Sequence, residues 1–257
     1  MSPWNPRKYL QFENERTRPA AELLARVPVA APSVVYDLGC GPGNSTRLLR
    51  DRWPDAHIAG IDNSPAMLMS ARASGVAAEW EAGDVGAWHP RHTPDVIYSN
   101  ATLQWLPDHA RLLPRLMGDV APGGALAVQM PRNFDAASHT LIMRVVENGP
   151  WSERLSGLRD FDPVGAPEAY YELLAGEAAI LDIWETIYLH VLNGDDAVYS
   201  WITGTALSPY LAALEGEVRE RFIGEVKAGL VTAYPRRPDG VTLYPFRRLF
   251  IVATRKG

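Results

Sequence analysis

A doubly wound α/β fold is what this sequence predicts, and three observations carry it. Short apolar runs of strand character alternate with helical ones through the first half. The first run leads straight into a turn with three glycines in five residues, Gly39-Cys40-Gly41-Pro42-Gly43, beyond which helical patterning resumes at Asn44. Strands separated by helices in this way need right-handed crossovers and hence a parallel sheet. The chain, 257 residues long, can bury the core of one such domain and carry additions to it.

In chain order, the first strand is expected from Val34 to Leu38, with a helix near 45–52. The second runs from His57 to Ile61, with a helix near 65–74, and the third from Ala77 to Glu81. A fourth from Asp95 to Ser99 is followed by a helix near 109–120. The fifth, Ala125 to Met130, is entered through Ala121-Pro122-Gly123-Gly124, a turn composition that precedes many strands. After Pro131 the rhythm changes to a helical and turn-rich stretch at about 135–178, a strand from Ile180 to Leu192, a second helical stretch at about 195–232, and a last strand from Arg248 to Thr254. Strands this far apart imply insertions above the sheet edge. Residues 135–178 and 195–242 are therefore read as a helical cap on a core at 30–131, within a single domain of 1–257, since no repeat or low-complexity linker divides the chain.

The glycine turn narrows the ligand. Glycines adopt φ > 0 and let a ligand lie against bare backbone, and the helix start beyond them offers free N–H groups. A dinucleotide fold calls for G-x-G-x-x-G opening the helix, whereas these glycines fall as G-C-G-P-G and Pro42 breaks the pattern. A P-loop calls for Gly-Lys-Ser/Thr, and Asn44-Ser45-Thr46 has no lysine.

Asp37-Leu38-Gly39-Cys40-Gly41-Pro42-Gly43 resembles instead the first motif of the class I S-adenosylmethionine-dependent methyltransferases. That resemblance implies S-adenosyl-L-methionine as cofactor, S-adenosyl-L-homocysteine as product, and a mostly parallel seven-stranded sheet with an antiparallel last strand. It places Asp37, Gly39, Gly41 and Gly43 at the cofactor, and Asp62, closing the second strand, on the ribose hydroxyls. Asp62 could also cap the next helix, a role open to Asn63 and Ser64 as well. Asp84 is set near the adenine amino group with the Val85 N–H facing a ring nitrogen, the alternative for Asp84 being a solvated turn. Asn100, after the fourth strand, falls near the methionine part of the cofactor.

Composition bounds the partners. With 47% apolar and 21% charged residues the chain is an ordinary globular one, and a net charge of -5 with a pI near 5.7 argues against a nucleic-acid partner. No run of 18 apolar residues and no signal-peptide pattern occurs, so the expectation is a cytoplasmic monomer without membrane contact. The single cysteine, Cys40, excludes an internal disulfide and reads as a small filler of the turn. No His, Asp and Glu cluster has metal-ligand spacing, and no metal is expected.

For the acceptor, two absences matter: no Asn-Pro-Pro-Tyr tetrad follows the fourth strand, and no basic stripe appears. A small acid fits better. Tyr244-Pro245-Phe246-Arg247-Arg248-Leu249-Phe250 sets two arginines before an apolar strand, and Arg132 follows the fifth strand. Guanidinium groups take carboxylates through paired hydrogen bonds. Strand alternation lets only one of Arg247 and Arg248 face the site; Arg247 is taken as the candidate, and the sequence leaves open which of the two it is. The segments Trp4-Asn5-Pro6, Glu15-Arg16-Thr17-Arg18-Pro19, Ser99-Asn100-Ala101-Thr102-Leu103-Gln104-Trp105 and Trp201-Ile202-Thr203-Gly204-Thr205, with the arginine segment, resemble the trans-aconitate methyltransferases. What this implies is methylation of one carboxylate of trans-aconitate, with a carrier-bound malonyl group or another small acid as the alternative acceptor. Gln11 and Trp105 are candidates to hold the reacting carboxylate, since amide and indole N–H groups donate without competing as nucleophiles. Tyr9, Phe12, Trp201 and Tyr210 are candidate pocket walls, although aromatics of this kind more often pack.

Overall fold

The computed structural model describes residues 13–158 and 164–257, with side chains from Thr17 onward. Tyr9, Gln11 and Phe12 lie outside the described residues. In chain order the elements are α1 (Glu13–Ala25), β1 (Val34–Leu38), α2 (Asn44–Arg52), β2 (His57–Asp62), α3 (Pro65–Ala73), β3 (Glu79–Ala82), β4 (Val96–Asn100), α4 (His109–Asp119), β5 (Ala125–Pro131), α5 (Ala137–Asn148), α6 (Ser152–Leu155), α7 (Pro167–Leu174), β6 (Ala178–Asn193), α8 (Ala197–Thr203), α9 (Ser208–Ala213), α10 (Gly216–Ala233) and β7 (Val241–Arg255).

The seven strands form one sheet in the order β3-β2-β1-β4-β5-β7-β6. Strands β1 to β5 pair in parallel and β7 runs antiparallel to β5, so the expected mostly parallel sheet with a reversed end is present. The inner strands read as unbroken apolar runs because they are covered on both faces: Val35, Leu38, Ile61, Val96, Ile97, Leu126 and Val128 are fully buried. Strand order reverses between β1 and β4, which is where open α/β sheets form a crevice at their carboxyl edge.

The chain divides into two compact units. The sheet unit comprises the described residues of 4–131 and 162–186 together with 248–257, and the second unit those of 132–161 and 187–247. Helix α7 therefore groups with the sheet, whereas the sequence suggested a cap over all of 135–178. Within that unit His109 of α4 bonds the Tyr170 hydroxyl of α7 through Nδ1 at 2.8 Å. A second difference is the length of β7, which begins at Val241 rather than Arg248. Thr242, Tyr244, Phe246 and Arg248 are buried in alternation, the period of a strand; Pro245, which reads as a breaker, occupies an outward position within it.

The second unit is held by aromatic packing. The Trp151 indole donates to the Val145 carbonyl at 2.7 Å and meets Phe222 edge-on at 5.2 Å. Helices α5 and α10 approach closely at Gly229, where any side chain would collide with Leu141. Ser138 at the start of α5 ties to β7 and α10 by its Oγ to the Tyr244 hydroxyl at 3.1 Å and its N–H donating to the Tyr234 hydroxyl at 3.0 Å.

Candidate functional site

The turn after β1 is a backbone device. Gly39, Gly41 and Gly43 have φ of 75°, 55° and 96°, a region where a Cβ atom is costly. At Gly39 a side chain would also collide with Thr102, while at Gly41 it would enter open space. Neighbouring strand ends fix the turn: the Gly39 and Cys40 N–H groups donate to the Ile61 carbonyl at 2.7 and 3.0 Å, and the Gly41 N–H donates to Asp62 Oδ2 at 2.9 Å.

Beneath the turn lies Asp37, with no exposed surface. Its Oδ2 accepts from the Ser45 and Thr46 hydroxyls at 2.7 and 2.6 Å, which anchors the first turn of α2 to β1. Oδ1 is buried and has no hydrogen-bond partner. Burial pushes the carboxyl up to about 6 from 3.8, against the two hydroxyl bonds, which favour the charged form, and with a small further push from Asp62. Asp37 thus shapes the turn from below. Cys40 is buried, and burial together with Asp37 and Asp62 raises its thiol far above the ordinary range, so it carries no thiolate chemistry.

At the end of β2, both Asp62 oxygens are engaged: Oδ2 by Gly41, and Oδ1 by the Ser64 N–H at 2.8 Å. Each keeps a second lone pair. The helix cap falls to Ser64, whose hydroxyl accepts from the Met67 N–H at 3.4 Å with Pro65 at the first helical position. Asp84 is exposed and closes a local turn, Oδ1 accepting from Gly86 N–H at 2.9 Å, and Val85 is buried.

The end of β4 is strained. Ala101, a non-glycine residue, sits at φ 55°, held by its N–H donating to the Gln129 carbonyl at 2.9 Å and its carbonyl accepting from Gln104 Nε2 at 2.6 Å. The bend sets Asn100 at the crevice, where its buried Oδ1 has no hydrogen-bond partner. It also leads into the 3-10 turn Leu103–Trp105, which buries Leu103 and Gln104 and leaves Trp105 half-buried. His109 steadies that turn through Nε2 on the Leu103 carbonyl at 2.9 Å.

The crevice is lined by Gly39, Cys40, Pro42, Asn44, Ser45 and Asn100, with Thr17 and Ala20 of α1 forming its other side. Helix α1 is fastened there by the Tyr98 hydroxyl, which donates to the Ala20 carbonyl at 2.6 Å. Thr17 and Ala20 carry no chemical signal of their own; only the strand-to-helix topology exposes their part. Asp37, the three glycines, Asp62, Asp84, Val85, Asn100 and Trp105 thus all belong to the sheet unit, at or just past strand ends.

Arg132, Arg247, Trp201 and Tyr210 belong to the second unit. The Arg132 N–H donates to the Arg247 carbonyl at 2.9 Å. Arg247 Nη1 pairs with Asp135 Oδ2 at 3.0 Å, and its N–H donates to Asn133 Oδ1 at 2.7 Å. Trp201 and Tyr210, expected as pocket walls, are interior residues here at 3% and 1% exposure. Trp201 packs on His190 and Phe246 with ring centroids at 4.4 and 5.7 Å, and the Tyr210 hydroxyl reaches Met143 Sδ at 3.6 Å. Of the two adjacent arginines, Arg248 is the buried one, in the sheet unit, with Nη1 donating to Gln129 Oε1 at 3.5 Å.

Comparison with known proteins agrees with this geometry. A family model described as a methyltransferase domain matches residues 35–124. Among the solved structures, the YcgJ protein of Bacillus subtilis superposes with a TM-score of 0.62 at 13% identity, covering 93% of this chain and 99% of that one. Phosphoethanolamine N-methyltransferase 2 of Haemonchus contortus, in complex with phosphomonomethylethanolamine and S-adenosylhomocysteine, gives 0.55 at 14% identity over 93% of this chain and 53% of that one. Both likenesses are of fold. Sequence relatives lie much nearer: the trans-aconitate 2-methyltransferase of Azoarcus sp. strain BH72 is 48% identical over 99% of this chain and 100% of its own length. That of Methylobacterium radiotolerans is 49% identical over 99% of each chain. With identity of this order over alignments that run nearly the full length of the chain, it belongs to the trans-aconitate 2-methyltransferase family.

Proposed function

We propose that this protein transfers the methyl group of S-adenosylmethionine to one carboxylate of trans-aconitate, giving a monomethyl ester and S-adenosylhomocysteine. The observation that carries this is the end-to-end similarity, at 45–49% identity, to relatives that bear the name trans-aconitate 2-methyltransferase. The crevice suits the cofactor: open space over Gly41 admits a ligand against bare backbone, the Asn100 Oδ1 acceptor awaits a donor, and Asp62 keeps lone pairs for two hydroxyls. In this assignment Asp62 takes the ribose, Asp84 and the Val85 N–H take the adenine edge, and Asn100 takes the methionine amino group, while Asp37 shapes the glycine turn.

When bound, the cofactor supplies an electrophilic methyl group on a sulfonium. A carboxylate with a pKa near 4 is already ionised at pH 7, so the site needs no general base. Its oxygen forms the new O–CH3 bond while the electron pair of the S–CH3 bond leaves on sulfur. What the chain contributes is alignment of the three atoms and exclusion of water. The Trp105 indole N–H, in the turn steadied by His109, and the Gln11 amide are assigned to hold the reacting carboxylate. No helix among the described residues is long and apolar enough to cross a membrane, and a cytoplasmic monomer meeting a small free acid completes the proposal.

Purified protein incubated with methyl-labelled S-adenosylmethionine and trans-aconitate is expected to yield a base-labile methyl ester. Label transfer to a carrier-bound malonyl group in place of the free acid, or to neither, would reject the substrate.

A further inference from the structure

Beside the crevice runs a row of polar side chains, of which Gln129 and Arg248 are buried. Asn100 of β4 stands opposite Gln129 of β5, and Gln129 opposite Phe250 of β7, so their side chains share one face of the sheet. Arg248, two residues before Phe250, returns to that face, and its bond to Gln129 Oε1 agrees. Tyr98, two residues before Asn100, identifies the face as the one covered by α1, since its hydroxyl reaches the Ala20 carbonyl. The row thus starts at the crevice and runs away from the cofactor's glycine turn along the carboxyl ends of β4 and β5.

Its polarity changes along its length. Asn100 presents an acceptor, Oδ1, with no hydrogen-bond partner. Gln129 has no exposed surface, and with Oε1 turned to Arg248 it presents a donor, Nε2, that also has no hydrogen-bond partner. Next to it lies the guanidinium of Arg248, at 4% exposure, a group that stays charged under all ordinary conditions. An acceptor at the crevice end suits the ammonium of the cofactor. An amide N–H and a guanidinium at the other end are complementary to a carboxylate.

Resting on the acid-methylation reading above, we propose that Gln129 and Arg248 form the recognition pair for a carboxylate of the acceptor that is not methylated. Neither reacts; they bind and orient the polyacid, with Asn100 dividing the cofactor end of the row from the acid end. Gln129 then sets specificity, because its spare N–H is the group an uncharged or shorter acceptor leaves unmatched.

The chain has three glutamines, Gln11, Gln104 and Gln129, so protein labelled with nitrogen-15 at glutamine side chains shows three amide pairs, assigned by substitution. In wild-type protein saturated with S-adenosylhomocysteine, adding trans-aconitate is expected to shift the Gln129 pair. Gln129→Glu, nearly isosteric and paired to Arg248, should fold at least as stably and bind S-adenosylhomocysteine within twofold of wild type. It should also raise KM for trans-aconitate at least 30-fold with kcat within threefold. Arg248→Lys, which keeps the charge but loses the fork, should raise KM about tenfold. If trans-aconitate binds while the Gln129 pair stays still and Gln129→Glu keeps its KM within twofold, the pair is structural and the inference falls while the methylation reading stands. If the wild type fails to methylate trans-aconitate yet binds it with the Gln129 shift, the methylation reading falls and the recognition pair survives. Absence of any binding overturns both.

Discussion

The turn after β1 and the aromatic interior of the second unit both depend on buried groups, yet they are built on opposite terms. Around the turn, specificity lies in the backbone: three left-handed glycines, a strained Ala101, and carboxylates at strand ends that accept from N–H groups. In the second unit it lies in volume, with Trp151, Trp201, Tyr210 and Phe222 filling space between helices and β7. A backbone device tolerates few residue types and reads directly from sequence. A packed interior tolerates many and reads as composition only.

Trp201→Ala is the largest test of that contrast. Removal of a fully packed indole from among His190, Tyr244 and Phe246 should cost about 3–5 kcal/mol in urea denaturation. A cost below about 1 kcal/mol would mean that the ring is a pocket wall after all and that the two regions differ less than their burial indicates.

Next comes Asp37, the one strongly buried acid under the turn. Below pH 3.8 it is protonated in folded and unfolded chains alike and costs nothing. Between 3.8 and about 6 the unfolded chain releases the proton and the folded chain keeps it, so stability falls as pH rises; above 6 the cost is constant. The full difference is about 3 kcal/mol. Asp37→Asn removes the titration and, with its amide oxygen in the place of Oδ2, keeps the acceptor for both hydroxyls. Plotted against pH, the stability of the variant relative to wild type should climb between pH 4 and 6 and then level. Parallel curves would show that Asp37 is hydrated and that the turn rests on something else.

How much of this was legible follows from the same contrast. Strands β1, β2, β4 and β5 stand within a residue of their expected limits because covered parallel strands are continuous apolar runs. Pro245 hid the first half of β7, since a proline at an outward strand position looks like a stop until the neighbours are known. Asp62 and Ser64 were both candidates for one cap, and only hydrogen-bond geometry divides their roles. Alternation made it certain that Arg247 and Arg248 differ in facing, but register decides which is buried, and register is a property of β5 and β7 together. Gln129 had no signal at all. It lies in the run Ala-Val-Gln-Met of an apolar strand, and its meaning comes from cross-strand neighbours at Asn100 and Arg248.

The smallest effect sharpens the comparison from within the turn. Gly39 and Gly41 share a left-handed backbone, but a side chain at Gly41 meets nothing within 4 Å. Gly41→Ala should therefore cost only the conformational strain of a Cβ at positive φ, about 1–2 kcal/mol, and the protein should fold. The added methyl group enters the space assigned to the cofactor, so affinity for S-adenosylhomocysteine by calorimetry should drop at least tenfold while KM for trans-aconitate changes little. That split separates a glycine required by the fold from one required by a ligand. Retained affinity in Gly41→Ala would move the cofactor off this glycine and leave the turn a purely structural device.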